Sequence, residues 1–237
     1  MPIHKLKLLS RRDVAHSTIE FTFEKPASLT FLPGQYAGFT LINPEETDAA
    51  GITRRFSLSS TPDDEHITIT LRMQGSAYKR VLNKLNIGDE IKFAGPTGNF
   101  TLHQDHNKPA VFIAGGIGIT PFYSMIKQAT HHQSPQKLIL FYGNQTENDT
   151  AYLNEIKTLQ TINPHFTFIP TFVNPPSSWQ GETGFITDSM IKKYITDLDA
   201  PIYYICGSPA MVTALQETLA EMNINEDNIK VEDFPGY

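Results

Sequence analysis

The sequence holds a single cysteine, Cys206, in 237 residues. That excludes an internal disulfide and a cysteine-ligated iron–sulfur cluster held by this chain alone. Charge is sparse, at 19% of residues, and 19 Lys and Arg against 25 Asp and Glu leave a net charge of -6. No basic tract is present to neutralise phosphates, so the composition argues against nonspecific nucleic-acid binding. Long hydrophobic runs are missing too; the longest are short and broken by glycine, and no membrane span is expected. Met1-Pro2-Ile3-His4-Lys5-Leu6-Lys7 enters an alternating strand without an apolar signal core. No targeting peptide is therefore expected, and the expected location is cytoplasmic. Repeats and low-complexity segments are absent.

What is present is an ordinary globular composition, 40% hydrophobic, in a length that suits one large domain or two modest ones. The first hundred residues read as β structure. Thr18–Phe23 and His66–Met73 alternate with period two, and turn signals recur at Pro33-Gly34, Asn43-Pro44, Thr61-Pro62 and Gly88-Asp89. Short strands at that spacing predict a small antiparallel barrel or sandwich. One helix interrupts them, from Ser76 to Leu85, with Ser76 as its cap. Past His103 the texture changes: a polar stretch, Gln104–Lys108, leads into strands that alternate with helices. Strands are predicted at 110–114, 137–142, 166–172 and 201–206. Helices are predicted at 121–130, 151–160, 187–194 and 210–222. That alternation implies a parallel sheet covered on both faces, with ligands bound at the carboxyl ends of its strands. The expected organisation is two domains, a barrel over residues 1–104 and an α/β domain over residues 105–237.

The most informative run is Phe112-Ile113-Ala114-Gly115-Gly116-Ile117-Gly118-Ile119-Thr120-Pro121-Phe122. An apolar strand ends in glycines that allow close approach of a ligand to the backbone. A helix follows, with Thr120 read as its cap and Pro121 as its first residue. Such a helix start favours a pyrophosphate. Proline in place of the third glycine separates the run from the Rossmann fingerprint, and a tight βα turn of any α/β domain has similar features. In the barrel half, Arg54-Arg55-Phe56-Ser57-Leu58 places Arg54, Phe56 and Leu58 on one strand face and Arg55 and Ser57 on the other. Arginine binds phosphate through two bonds, an aromatic ring covers a flat heterocycle, and a hydroxyl reaches a ring nitrogen. An edge strand with surface arginines would read the same way. Gly75-Ser76-Ala77 offers a second helix-N-terminal phosphate site, or plain capping. His103-Gln104-Asp105-His106 and His131-His132 have metal-like ingredients but no third ligand at recognisable spacing, and are read as solvated loops. Ser57, Ser59 and Ser60 lack the context of a nucleophile elbow, which argues against a serine hydrolase.

With these motifs in order, the chain resembles the ferredoxin–NADP reductase superfamily, in particular the module of oxygenase reductases and flavohaemoglobins. The ordered set is Arg54–Ser57, Gly75-Ser76, Gly95-Pro96-Thr97-Gly98-Asn99-Phe100, Gly115–Pro121, Tyr142-Gly143-Asn144, Cys206-Gly207-Ser208-Pro209-Ala210-Met211 and Glu232-Asp233-Phe234, spanning nearly the whole chain. The resemblance implies a Greek-key β-barrel that binds FAD and an α/β domain that binds a pyridine nucleotide. It implies that Arg54 holds the flavin pyrophosphate, with Phe56 against the isoalloxazine and Leu58 beside it. Phe56 stands where tyrosine is usual and lacks the hydroxyl. Ser57 would bond flavin N5. Leu71, Arg72 and Met73 would line the ribityl and pyrophosphate path, and Gly75, Ser76 and Ala77 would bind phosphate, which favours FAD over FMN. Gly116, Gly118, Thr120, Asn144 and Gly207 would hold the pyridine nucleotide, with Cys206 near the nicotinamide. Cys206 is equally consistent with a buried small hydrophobe. Glu232 and Phe234 would form the C-terminal acidic and aromatic pair, with Tyr237 an alternative source of the ring.

Ser57, Cys206 and Glu232 are thus the implied catalytic residues. The implied activity is transfer of hydride from NADH or NADPH to FAD, then of electrons to a separate acceptor such as a ferredoxin, another iron–sulfur or haem protein, or a small molecule. NADH is favoured over NADPH, because Gln145 stands where arginine is common and Glu182 would repel a 2′-phosphate. Two alternatives share part of the pattern. A reductase component of a multicomponent oxygenase or desaturase differs in its acceptor. A flavin-binding electron-transfer or regulatory subunit without turnover would keep Arg54 and Ser76 but would not need the Gly115–Pro121 loop.

Overall fold

A computed structural model describes residues 3–234. Alternating side chains build the first sheet from β1 (Ile3–Ala15), β2 (Thr18–Glu24), β3 (Tyr36–Thr40), β4 (Thr53–Ser57), β5 (His66–Arg72) and β6 (Glu90–Thr97), all antiparallel. The order is β4-β3-β6-β1-β2-β5, and a bridge between Leu58 and Ile69 joins the outer strands into a barrel. Its interior holds Phe21, Phe23, Phe39 and Phe93, all fully buried. Helix α1 (Ala77–Lys84) interrupts the strands as the sequence predicts. The Ser76 hydroxyl accepts from the Lys79 N–H, and Tyr78, Val81 and Leu82 face the barrel.

The second sheet is parallel and runs β10-β9-β8-β7-β11-β12. Its strands are β7 (Ala110–Gly115), β8 (Leu138–Asn144), β9 (Phe166–Phe172), β10 (Glu182–Thr183), β11 (Ile202–Gly207) and β12 (Ile229–Asp233). Burial on both faces explains the nearly unbroken apolar runs of β7, β8 and β11. Phe112, Leu140 and Tyr204 point to one face with α2 (Ile119–His131) and α3 (Leu153–Ile162). Val111, Ile139 and Tyr203 point to the other with α4 (Asp188–Tyr194) and α5 (Pro209–Glu221). Chain order reverses between β7 and β11, the place where sheets of this kind bind ligands.

The helix start after the glycine run differs from its sequence reading. Gly116–Gly118 form a 3-10 turn and α2 begins at Ile119, so Thr120 is not the cap. The Thr120 hydroxyl instead donates to Ile117 O at 3.2 Å. Pro121 falls at the third helical position, still within the first turn, where a missing N–H breaks no helical bond. The tight glycine turn starts the helix two residues early. Strand β12 was not foreseen either: Ile229–Asp233 is a short edge strand that carries the C-terminal motif alongside β11.

The two halves meet along a polar seam. Tyr152, fully buried, donates to Glu20 Oε2 at 2.6 Å and meets the Thr70 hydroxyl, which lies 3.1 Å from Ser59 Oγ. Arg12 Nε donates to Glu20 Oε1 at 2.7 Å, and Ser124 Oγ donates to Ser60 O at 2.6 Å. Among the described residues no helix is long and apolar enough to cross a membrane.

Candidate functional site

The barrel contributes a cationic, anion-seeking corner. Arg54, on β4, donates through Nη2 to Asp48 Oδ1 at 2.6 Å. The other Asp48 oxygen accepts from the Ala77 N–H at 3.0 Å, the first residue of α1. One carboxylate is therefore gripped at once by a guanidinium and a helix N-terminus. Burial alone would raise the Asp48 pKa, but Arg54 and backbone N–H groups hold it below the usual carboxylate range. Lys79, half-buried in the first turn of α1, feels burial first and then Arg54 and Arg72, and its ammonium pKa is lowered. Sequence reasoning missed Lys79; its position at the third residue of a capped helix was the available signal.

Other sequence-predicted residues divide into those that face this corner and those that do not. Phe56 is half-buried, with its ring 5.8 Å from Tyr78 and 6.0 Å from Phe39. Met73 is partly buried against the barrel core. Leu58 and Leu71 turn their side chains into that core, so any contact they make with a ligand comes from the backbone. Arg72 reaches across to the other half and donates to Asp149 O at 3.3 Å. Gly75 adopts φ +81°, a conformation that suits glycine, immediately before the Ser76 cap.

The α/β half brings its motifs to the carboxyl edge of the sheet. Gly118 packs so closely on β11 that a Cβ there would lie 2.3 Å from Cys206 O. Gly116 takes φ +52°, and its carbonyl accepts from the Tyr142 hydroxyl at 3.0 Å. Asn144, at the end of β8, keeps both carboxamide atoms buried with no hydrogen-bond partner among the described residues. Buried amides are rarely left so. Glu182, expected to repel a phosphate, is instead neutralised: its Oε1 accepts from Lys193 Nζ at 2.6 Å and from the Tyr194 hydroxyl at 2.7 Å. The sequence reading of that segment overlooked the cation that α4 supplies.

The two halves converge where the resemblance places its catalytic groups. Ser57 Oγ, from the barrel, donates to Glu232 Oε2 at 3.4 Å. Glu232 on β12 pairs in register with Cys206 on β11. Phe234 donates its N–H to Gly207 O at 3.2 Å, and its ring packs on the cluster that includes Cys206. Cys206 is fully buried; burial, then Glu232 and Asp233, pushes its thiol well above the ordinary value. That environment favours the neutral thiol over the thiolate. Tyr237 lies outside the described residues.

Burial raises the Glu232 carboxyl from 4.5 to about 7; the Ser57 hydrogen bond opposes the shift and Asp233 adds to it. Between these two values the folded chain binds more protons than the unfolded chain, so this group's contribution to stability is lost as pH rises through that window. Glu232→Gln removes the titration. Relative to the variant, the parent protein should lose up to about 3 kcal/mol between about pH 4.5 and pH 8. Urea unfolding at both ends of that range measures it; parallel pH dependences would refute the assignment.

Comparison with known proteins agrees with this architecture. Residues 5–102 match the family described as oxidoreductase FAD-binding domain, and residues 112–217 match the oxidoreductase NAD-binding domain. NADH-cytochrome b5 reductase 1 of Cryptococcus neoformans is 30% identical over 228 residues, covering 91% of this chain and 77% of that protein. The toluate 1,2-dioxygenase electron transfer component of Pseudomonas putida is 27% identical, covering 94% of this chain and 65% of that one. Several other curated relatives are about twice as long as the part that matches. The FAD/NAD-binding domain of nitric oxide dioxygenase from Vibrio cholerae superposes with a TM-score of 0.85 at 19% identity, over 97% of this chain and 98% of that one. Motif order, fold and these matches together assign the chain to the ferredoxin–NADP reductase superfamily of FAD- and NAD-binding oxidoreductases.

Proposed function

We propose that this chain is a FAD-dependent NADH oxidoreductase that passes electrons to a separate acceptor. The observation that carries the proposal is the meeting of Ser57 and Glu232 from opposite halves at 3.4 Å. It gives a hydride-transfer site its two walls. Flavin fits the barrel corner: Arg54 and the Ala77 N–H already converge on one anionic group, and Lys79 adds positive charge. These residues would hold the pyrophosphate, with Gly75 and Ser76 beside them and Phe56 against the ring. A pyridine nucleotide fits the other edge, where Asn144 keeps a buried carboxamide unpaired among the described residues and the Gly116–Gly118 turn leads into the start of α2. When bound, the flavin supplies the capacity to accept a hydride and release its electrons singly.

The chain's own groups position and tune. With Glu232 protonated and donating to its oxygen, Ser57 would be free to turn its single hydrogen to the flavin ring nitrogen that receives hydride. Glu232, protonated below about pH 7, holds a proton beside that donor. Phe234 shields the apolar face next to Cys206 until nicotinamide takes its place. Cys206 contributes apolar packing. The preference for NADH rests on Gln145 at the β8 end, whose Oε1 lies 3.4 Å from Asn174 Nδ2, and on the absence of an adjacent arginine in that segment. It is consistent with relatives whose names specify NADH. With one cysteine the chain supplies no iron–sulfur centre of its own, and the acceptor is a ferredoxin, a haem protein or a diffusible oxidant. An oxygenase-reductase role is a special case of this reading, favoured by the electron transfer components among the relatives.

Anaerobic titration tests it. Protein reconstituted with FAD should be yellow and should bleach on addition of NADH, with NADPH slower by about tenfold or more, as expected for an uncompensated phosphate. A colourless protein that cannot be loaded with FAD, or one that NADH leaves oxidised, would refute the proposal.

A further inference from the structure

Away from the Ser57–Glu232 contact, a second cluster joins the two halves. Asp63 lies in the loop between β4 and β5 of the barrel. His131 ends α2, and His132 follows as its C-cap. Asp63 Oδ2 is 2.7 Å from His132 Nε2 and 3.3 Å from His131 Nδ1. The three side chains can each turn a donor atom to within 4.8 Å of the others. One helical turn earlier, Gln128 Nε2 stands 2.8 Å from Asp63 Oδ2 and 2.8 Å from His132 Nε2. Its Oε1 is buried and has no hydrogen-bond partner among the described residues. The orientation of such an amide is a choice between two arrangements related by a half-turn. Rotated, Gln128 would direct Oε1 at the same two atoms, a convergence of acceptors that a cation satisfies.

The geometry points to a binding site for a divalent transition ion of borderline softness, zinc being the commonest, formed by Asp63, His131, His132 and Gln128. Two imidazoles and a carboxylate are the donor set such ions prefer. Bonds of about 2.0–2.2 Å in tetrahedral array place donor atoms about 3.3–3.6 Å apart. The Asp63–His edges of 2.7 and 3.3 Å need to open only slightly, and all three side chains are at the surface, where they can. Sequence alone shows only the histidine pair; Asp63 is 68 residues away and arrives through the packing of the barrel against α2. Because Asp63 belongs to one half and the other three to the second, the ion clamps the halves together. The Lys127–Asp64 ion pair at 2.7 Å supports the same junction. Helix α2 has 13 residues, so the clamp stands about 20 Å from the glycine turn at its other end. It restrains the junction without touching the reacting groups.

The test uses the full chain, free of any polyhistidine tag, stripped with chelator and desalted. Zinc chloride is titrated calorimetrically and cobalt chloride by its visible spectrum. One ion per chain, micromolar affinity and a raised melting temperature are expected. Asp63→Ala and His132→Ala should each weaken binding by at least about tenfold, since even outer-sphere substitutions at metal sites cost that much. Asp63→Asn keeps an acceptor for the Gln128 hydrogen bond and separates loss of charge from loss of fold. No stoichiometric binding up to about 1 mM would overturn the site, being far weaker than structural zinc affinities. Unchanged affinity in Asp63→Ala would overturn it equally, leaving adventitious binding to a surface histidine pair only.

Discussion

Arg54→Ala should yield a colourless protein whose affinity for FAD falls by at least about thirtyfold, the cost of truncating one partner of a charge-assisted pair. The guanidinium is only about one-fifth exposed, lies 5.2 Å over the Tyr78 ring and bonds the carbonyls of Ala50 and Gly51. Its orientation is thus fixed before any ligand arrives, and alanine removes a prearranged charge rather than a mobile one. A loop effect must be separated from a ligand effect, because Arg54 also anchors Asp48. Asp48→Asn makes the separation. It removes the anion that competes for Arg54 and the Ala77 N–H, and flavin affinity should hold or rise. If Asp48→Asn loses flavin as severely as Arg54→Ala, Arg54 acts through the loop and the direct phosphate contact is refuted. Fluorescence quenching of FAD on titration with apoprotein reads both variants.

Ser57→Ala should slow anaerobic bleaching by NADH about a hundredfold, the scale of losing one well-placed donor to developing charge. The side chain is 3% exposed and its rotamer is held by Glu232, so the donor is preorganised. FAD and NADH affinities should change by less than about threefold, which assigns the loss to the transfer step rather than to binding. Ser57→Thr, which restores a hydroxyl, should recover much of the rate. Equal rates in Ser57→Ala and the parent, measured by stopped flow, would remove Ser57 from the chemistry.

Much of the architecture was legible because local patterns recorded it. Period-two alternation located β2 and β5, and apolar runs buried on both faces located β7, β8, β9 and β11 to within two residues. Ser76 was readable as a cap because capping is a contact between near neighbours in sequence. The start of α2 was misplaced for a comparable reason: Thr-Pro is a strong local signal, and a glycine turn packed against β11 overrode it. Contacts between distant segments left no such trace. No local pattern near Glu232 announces Ser57, 175 residues away; only the ordered motif set implied that the two share a site. No local pattern marks Asp48 as the partner of Arg54 and the Ala77 N–H, and the meeting of Asp63 with the histidines depends on how the barrel seats against a helix. The partner of Glu182 was likewise out of view, because Lys193 lies on a helix whose placement only the folded sheet decides.

The seam between the halves limits how such proteins can be recombined. Glu20, Thr70 and Tyr152 satisfy one another across the junction, each nearly or fully removed from water. A transplanted barrel set on a foreign nucleotide domain would keep the Arg12–Glu20 and Ser59–Thr70 contacts but lose the Tyr152 hydroxyl that donates to Glu20 Oε2, at a cost of about 1–3 kcal/mol. Chimeras that graft the coenzyme half from a relative should therefore carry position 152 and its partners as one inherited block, because the interface is a lock cut for a single key.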